Sequence, residues 1–212
     1  MLKHVVLTQV LQRMAAKDKP YTLVDTHAGA GGYSLEGRYA RTKAEYEDGI
    51  GRLWQRDDLP PAVADYVALV RRFNDGGAKL RQYPGSPAIA HMLRRPHDRL
   101  RLYELHPTDE RILAAYLGAE PDTAVTLGDG FGALKAELPP PSRRGVVLID
   151  PSYEIKTDYA RVVAALREAL TRFADGTVVV WYPQLLAVES TQLPRRLQAV
   201  LAAGDEAGAH GR

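Results

Sequence analysis

The sequence contains no cysteine, which excludes a disulfide framework and a metal site built from thiolates. It also lacks an apolar run that approaches the roughly 18 residues of a membrane span, and its first residues do not resemble a secretory leader. No phosphate loop of the G-x-x-x-x-G-K-[ST] type is present, which disfavours the P-loop nucleotide hydrolases. We therefore expect a soluble, cytoplasmic protein without membrane attachment.

Charge gives only a weak indication of the partner. The chain has 212 residues, 45% hydrophobic and 25% charged, and a net charge of +2, so it can build one sizeable core. Arginines stand in adjacent pairs at 71–72, 94–95, 143–144 and 195–196. Such pairs are compatible with contacts to nucleic-acid phosphates, although solvated helix and loop surfaces carry them as well.

Hydrophobic periodicity predicts a first helix followed by alternating strands and helices. In residues 3–16 apolar side chains recur at helical spacing, at Leu7, Val10, Leu11 and Met14. The strand-like stretches are YTLVD, RLRLYEL, TAVTLGD, GVVLID and GTVVVWYP. Predicted helices cover 108–118, 131–137, 158–174 and the chain from about residue 185. This order predicts an α/β fold with right-handed crossovers and a largely parallel sheet.

Residues 1–212 are predicted to form a single domain with two departures from that alternation. Residues 38–95 carry two helical patterns, around 46–54 and 63–73, punctuated by DDLPP and NDGG. We interpret them as a helical insertion after the first strand. The end of the chain, from about 203 to 212, is of low complexity and predicts a disordered tail.

A glycine loop follows the first strand in the stretch DTHAGAGG. Gly29, Gly31 and Gly32 allow the backbone to approach a ligand closely, and open parallel sheets bind ligands at the carboxyl ends of their strands. A plain tight turn would have the same composition. The dinucleotide fingerprint needs a further glycine where Ser34 stands, which disfavours a nicotinamide site.

Two acidic residues at later strand ends suit an adenosine. Glu104, near the end of the second strand, can accept hydrogen bonds from two ribose hydroxyls, although an exposed strand-end acid would look the same. Asp129, followed by Gly130, ends the third strand, where a carboxylate can accept from an exocyclic amine.

The fourth strand ends on Asp150, followed by Pro151, Ser152 and Tyr153. The exocyclic nitrogen of a nucleobase is a poor nucleophile and needs a hydrogen-bond acceptor as it becomes tetrahedral. The Asp150 carboxylate can accept one N–H, the Pro151 carbonyl can accept the other, and Tyr153 can stack on a base taken out of its helix. The motif is short enough to arise by chance, so its weight comes from the other strand-end features.

Several stretches resemble one known family. They are LKHxxxxxxL, DTHAGAGGY, YPGSPAIA, ELHP, DGF, RRGVVLIDPSYE, TDY and WYP, and together they are similar to the large-subunit ribosomal RNA adenine-N6 methyltransferase J family of bacteria, from about residue 2 to about 184. The resemblance implies a Rossmann-like S-adenosylmethionine-dependent methyltransferase sheet with a helical insertion after the first strand. It also implies 23S ribosomal RNA as partner, S-adenosylmethionine as methyl donor, and no metal.

The resemblance implies roles for particular residues. The donor site would contain His4, His27, Gly29, Ser86, Glu104, Asp129, Gly130 and Asp150. The catalytic group would be Asp150, with Pro151, with Lys3 near the target base and with Tyr153 stacking on it. Without the resemblance His4 is interpreted as a helix-surface histidine, His27 as a loop histidine, and Ser86 as a helix N-cap with Pro87 at the first helical position.

Three features depart from the family pattern. Ser152 stands where the family usually has a second proline, which releases a φ constraint and adds an N–H donor. Family members carry a basic, histidine-rich segment before the first helix, and at the other end they continue through a further helix and an antiparallel strand pair. We therefore expect a chain shortened at both ends, with that C-terminal strand pair missing.

The leading hypothesis is methyl transfer to the N6 of an adenine in 23S ribosomal RNA by a monomer that holds RNA through Arg71, Arg72, Arg94 and Arg95. A non-catalytic fragment that binds RNA or the donor is one alternative. A DNA adenine-N6 methyltransferase is another, because the same Asp-Pro-x-Tyr chemistry serves either polymer. A nicotinamide oxidoreductase is a distant further possibility.

Overall fold

The computed structural model describes residues 1–36 and 46–209. The α-helices are α1 (Leu2–Ala15), α2 (Pro61–Phe73), α3 (Ser86–Leu93), α4 (Pro107–Leu117), α5 (Gly130–Glu137), α6 (Thr157–Arg172) and α7 (Val188–Ala209). A short 3-10 helix covers Ile50–Leu53. The strands are β1 (Thr22–Asp25), β2 (Gly32–Ser34), β3 (Gln82–Pro84), β4 (Arg99–Glu104), β5 (Thr123–Leu127), β6 (Gly145–Ile149) and β7 (Thr177–Val180).

Five strands form one parallel sheet in the order β5-β4-β1-β6-β7. The predicted α/β class and parallel sheet are confirmed. The strand order reverses at β1, which has β4 on one side and β6 on the other, and this switch point opens a crevice at the carboxyl ends of the strands. Asp25 and Glu104 end β1 and β4, and Asp150 follows β6 directly.

The sheet separates two hydrophobic clusters because successive side chains of a strand point to opposite faces. Leu23 of β1 belongs to the cluster formed with α1, α2, α3 and α4. Val24, the next residue, belongs to the cluster formed with α5, α6 and α7. Strand β6 is buried along its whole length, as expected for a strand covered on both faces.

The described part of the insertion contains both predicted helical patterns in part. Helix α2 covers the second pattern, and in the first pattern residues 46–47 are helical and precede the 3-10 helix; residues 38–45 lie outside the described residues. Strands β2 and β3 pair antiparallel and were not predicted, because three-residue strands are too short to show a period of two. The N-cap of α3 is Gly85, so the interpretation of Ser86 as N-cap is wrong by one position.

Helix α7 begins at Val188 and continues to Ala209, into the stretch for which the sequence predicts disorder, and residues 210–212 lie outside the described residues. Within the described parts of the chain, β7 is an edge of the sheet. The search for membrane spans over those same parts finds no helix with the length and apolar character to cross a bilayer.

At the amino end of the sheet, arginines bind backbone carbonyl groups. Arg95 donates to the carbonyls of Ala15 and Lys17 at 2.8 and 2.6 Å, and Arg144 donates to the carbonyl of Met14 at 2.8 Å. Asp98, which is fully buried, accepts from the backbone N–H groups of Tyr21 and Arg95 at 3.0 and 2.8 Å and from the Arg95 side chain. These bonds join the end of α1 to the start of β1 and β4.

The arginines expected to hold RNA also make hydrogen bonds within the fold. Arg71 donates to the carbonyl of Trp54 at 2.5 Å, and Arg72 donates to that of Met92 at 2.7 Å. Arg94 donates to the carbonyl of Pro121 and pairs with Glu120. Each of these bonds engages only part of a guanidinium group, which has five N–H donors, so the assignment of these pairs to RNA binding stays a prediction.

Candidate active site

A cavity of about 1060 Å³ lies at the carboxyl end of the sheet. It is lined by all eleven residues that the sequence predicts for the site: Lys3, His4, His27, Gly29, Ser86, Glu104, Asp129, Gly130, Asp150, Pro151 and Tyr153. The topology explains why they meet, because β1, β4, β5 and β6 all end on this side and α1 and α3 pack beside them. Their individual roles remain predictions.

The loop after β1 fixes Glu104. Gly29 has φ +65° and its N–H donates to Glu104 Oε2 at 2.7 Å, while the N–H of His106 donates to Oε1 at 2.7 Å. Each carboxylate oxygen has a further lone pair. Glu104 is therefore held in one orientation and can still accept two hydroxyl groups, as a ribose would require.

The loops after β1 and β5 touch at Gly130. A Cβ atom at this position would stand 2.0 Å from the Thr26 carbonyl oxygen, so only glycine fits there. Asp129 Oδ1 accepts the N–H of Phe131 at 3.2 Å and caps α5. The contact places Asp129 beside the glycine loop.

Arg161 of α6 also binds Asp129. Its guanidinium lies 2.6 Å from Oδ2 and 4.4 Å from the centre of the Phe131 ring, in cation–π contact. The predicted acceptor of an exocyclic amine is therefore already charge-paired in this structure. Arg161 lines the cavity but comes from a helix 32 positions along the chain, and no spacing in the sequence marks it.

His27 is a neutral hydrogen-bond acceptor. Thr26 donates its hydroxyl proton to the carbonyl of Leu148 at 3.0 Å, so its oxygen accepts from His27 Nδ1 at 2.8 Å. Nδ1 then carries the ring proton and Nε2 a lone pair. Burial lowers the pKa of His27 to about 4, so the neutral form prevails near neutral pH.

Asp150 forms an ion pair with Lys3 of α1. Both side chains are mostly buried, with exposed fractions of 17% and 20% respectively. Burial raises the pKa of Asp150, and the Lys3 ammonium opposes that shift. The pair presents a carboxylate oxygen and an ammonium group on the cavity wall.

Tyr153 adopts φ +57°, an unusual conformation for a bulky residue and one that tends to occur at functional sites. Its hydroxyl donates to the carbonyl of Trp181 at 2.7 Å, and its ring lies 4.9 Å from that of Tyr159. These contacts fix the ring beside Asp150. Stacking on a target base remains a prediction.

Asp25, which ends β1 and binds the site residue His27 without lining the cavity itself, was not singled out from the sequence. It is fully buried; Oδ1 accepts the N–H of His27 at 3.3 Å, and Oδ2 has no hydrogen-bond partner within the described residues. Burial raises its pKa to about 6, outweighing the opposing effects of the Ser86 hydroxyl and the Lys3 ammonium. An acid that ends an apolar strand is the same signal that identified Asp150, so the sequence could have revealed it.

His4 is buried, so its interpretation as a helix-surface histidine is wrong. It is 5% exposed, Nδ1 lies 3.1 Å from the Tyr83 hydroxyl, and Nε2 finds no partner in the part of the chain that is described. Burial, with Lys3 next to it, lowers the pKa of His4 well below its ordinary value. Tyr83 and its neighbour Tyr66 belong to the insertion and were not predicted to contribute to the site.

No group of three or more His, Asp or Glu side chains among residues 1–36 and 46–209 is arranged to hold a metal ion. The cavity does suit an organic ligand with both donors and acceptors. Its volume exceeds that of a nucleoside, and His4, which lines it, has a ring nitrogen without a partner among the described residues.

Comparisons with known proteins point in one direction. Residues 18–204 match the family model described as "RsmJ: Ribosomal RNA large subunit methyltransferase D, RlmJ". The proteins named Ribosomal RNA large subunit methyltransferase J from Escherichia coli K12 and Haemophilus influenzae Rd are 46% and 44% identical to this chain over 198 residues, which cover 93% of this chain and 70% of each relative. The crystal structure of protein LPL1258 from Legionella pneumophila, assigned to family DUF519, superposes with a TM-score of 0.86 at 36% identity, covering 93% of this chain and 73% of that one.

Proposed function

The chain belongs to the ribosomal RNA large subunit methyltransferase J family, and from this premise we propose that it transfers a methyl group from S-adenosylmethionine to the exocyclic N6 of an adenine in 23S ribosomal RNA. The observation that carries the proposal is that Asp150, after β6, shares one cavity wall with the residues expected to bind the donor. An acceptor for the amine and a site for an adenosine-containing ligand therefore meet in one place.

The residues of the cavity fit S-adenosylmethionine. Glu104, fixed by two backbone N–H groups, would accept the ribose hydroxyls, and Asp129 with Gly130 would border the adenine. His4 and the N-terminus of α3 at Ser86 would face the amino acid end, because a helix N-terminus favours a carboxylate. When bound, the donor supplies an electrophilic methyl group on its sulfonium, so no covalent enzyme intermediate is needed.

Asp150 would act on the target amine. Its carboxylate accepts one N–H of the adenine while the nitrogen becomes tetrahedral, the Pro151 carbonyl accepts the other, and Tyr153 stacks on the extruded base. The Lys3 ammonium counteracts the effect of burial on Asp150 and so keeps the acceptor ionised. Holding both reactants in one geometry would provide much of the rate acceleration.

We also propose that the enzyme is cytoplasmic and acts as a monomer on an RNA substrate. All eleven predicted site residues come from one chain, so the chemistry requires no residue from a partner subunit. Ile155 lines the cavity beside the position proposed for the base, and this apolar residue is 62% exposed.

The test is mass spectrometry of nucleosides after reaction with isotope-labelled S-adenosylmethionine. The purified chain is incubated with deproteinised 23S ribosomal RNA from cells that lack the modification, and in parallel with single- and double-stranded DNA. We expect labelled N6-methyladenosine in the RNA arm alone. Label in DNA alone would identify a DNA methyltransferase, and calorimetric donor binding without label in any arm would identify a non-catalytic binding protein.

A further inference from the structure

Two tyrosines of the insertion contact His4 from the side away from the cavity. Tyr66 of α2 is fully buried, and its hydroxyl donates to that of Tyr83 in β3 at 2.9 Å. The Tyr83 hydroxyl in turn lies 3.1 Å from His4 Nδ1, with ring centres 5.5 Å apart. The three side chains form a continuous chain of hydrogen bonds from the insertion to the cavity wall.

The direction of the protons in this chain follows from counting donors. Each tyrosine hydroxyl has one proton to donate. Tyr66 gives its proton to Tyr83, so the Tyr83 oxygen accepts and its own proton points to His4. His4 Nδ1 is therefore the acceptor, and the ring proton of a neutral histidine must stand on Nε2.

The Nε2–H group so defined has no acceptor among the described residues. His4 lines the cavity, and its Nε2 atom is buried with no hydrogen-bond partner in the described ranges. Buried donors in native proteins nearly always have a partner. The missing acceptor is therefore expected to arrive with a ligand.

Resting on the proposed function, we propose that Tyr66 and Tyr83 are positioning residues that hold His4 in its Nε2–H tautomer. In this tautomer His4 donates a hydrogen bond to the carboxylate at the amino acid end of the methyl donor. That carboxylate is the anionic group of S-adenosylmethionine, and the N-terminus of α3, at Ser86, lines the same cavity and favours an anion. The insertion thereby contributes to methyl-donor recognition although neither tyrosine touches the cavity.

His27 provides an internal contrast for this assignment. Its Nδ1–H donates to Thr26, so its Nε2 is an acceptor, whereas His4 has the reverse arrangement. One cavity thus contains two neutral histidines of opposite tautomer. Swapping the tautomer of His4 alone would present a lone pair to a carboxylate and weaken binding.

The tautomer can be read directly by long-range proton–nitrogen NMR of protein labelled with 15N-histidine. In the unmodified chain we expect His4 Nδ1 to be unprotonated and Nε2 to be protonated, with the opposite pattern for His27. Tyr83→Phe removes the donor to Nδ1 and should shift His4 toward a mixture of tautomers. A protonated Nδ1 on His4 in the unmodified chain would overturn the proposal.

Binding calorimetry with two ligands separates positioning from general damage. For S-adenosylhomocysteine, which has the amino acid end, we expect Tyr83→Phe to raise Kd about five- to tenfold and Tyr66→Phe about two- to threefold, as for one lost hydrogen bond. For 5′-methylthioadenosine, which lacks that end, both variants should bind as the unmodified chain does. Equal weakening for both ligands would refute the role assigned to the tyrosines.

Tyr116→Phe is the matched control, since Tyr116 is exposed on α4 and does not line the cavity; it should change neither Kd. At saturating donor, methyl transfer by Tyr83→Phe should retain kcat within about twofold while the KM for the donor rises. The NMR and calorimetric results stand without any methyl transfer, so failure of the proposed function and failure of this inference can be told apart.

Discussion

Asp25, the last residue of β1, and Asp98, directly before β4, are both fully buried aspartates, yet their surroundings are opposite. Asp98, at the amino end of the sheet, accepts two backbone N–H groups and the Arg95 side chain. Burial tends to raise its pKa, but these bonds outweigh burial and hold the pKa below its usual value. Asp25, at the carboxyl end, has one oxygen without a partner in the described chain and a pKa raised to about 6.

The contrast separates a carboxylate whose hydrogen bonds are all made from one that keeps an unpaired oxygen beside the site. The first contributes to stability, whereas the second lowers stability when it is ionised. Variants at the carboxyl end should therefore affect chemistry, binding or the pH dependence of unfolding, and those at the amino end should affect unfolding alone.

The largest effect is expected at the carboxyl end from Asp150→Ala. Removing the amine acceptor should lower the rate of methyl transfer at least about 10³-fold, while the Kd for S-adenosylmethionine stays within about tenfold. A tritium-transfer assay run beside isothermal calorimetry measures both quantities. Transfer at the unmodified rate would refute the assignment of Asp150.

At the amino end, Asp98→Ala should lower the free energy of unfolding by about 2–4 kcal/mol, because it leaves two backbone N–H groups and the partly exposed Arg95 side chain without their acceptor. Urea unfolding measures the change, with Asp48→Ala as control, since the exposed pair of Asp48 with Arg52 should contribute less than about 1 kcal/mol. Donor affinity of the folded Asp98→Ala protein should be unchanged, and a large loss of affinity would break the comparison.

Asp25→Asn tests the comparison of the two aspartates through the pH dependence of the unfolding free energy. The pKa of Asp25 is about 6 in the folded protein and exceeds the ordinary value of 3.8. Between these two pH values the folded state binds more protons than the unfolded state. The stability that protonated Asp25 contributes is therefore lost as pH rises from about 4 to 6. Relative to the unmodified chain, Asp25→Asn should gain up to about 3 kcal/mol in unfolding free energy over this window.

Urea unfolding of both proteins at pH 4.5 and pH 7, without donor, measures the difference. Effects of His4 and His27 are common to both proteins and cancel. A difference in unfolding free energy that is independent of pH would show that Asp25 is ionised in the folded protein throughout this range.

The sequence predicted those parts of the site that depend on strand order. Glu104 ends a strand, Asp150 directly follows one and Asp129 stands two residues after one. Parallel strands bring such ends to one edge, so their meeting follows from the strand order. Lys3, His4, His27 and Ser86 were predicted only through the family resemblance. The approach of Lys3, His4 and Ser86 depends on how α1 and α3 pack, which periodicity does not specify.

What the sequence did not predict depends on tertiary contacts. The β2–β3 pair is too short to leave a periodic pattern. The bond between Tyr83 and His4 joins residues 79 positions apart along the chain, and the bond between Tyr66 and Tyr83 joins residues 17 positions apart. The arginine pairs also make contacts that composition does not reveal, because Arg71, Arg72, Arg94 and Arg95 each bind a carbonyl of the fold.

The contact of Gly130 with the Thr26 carbonyl has a consequence for the evolution of this site. Even a single added methyl group at position 130 would force apart the turns that follow β1 and β5, and the spacing between Glu104 and Asp129 would change with them. If Glu104 and Asp129 hold the sugar and the base as proposed, this one backbone junction sets the distance between those two contacts.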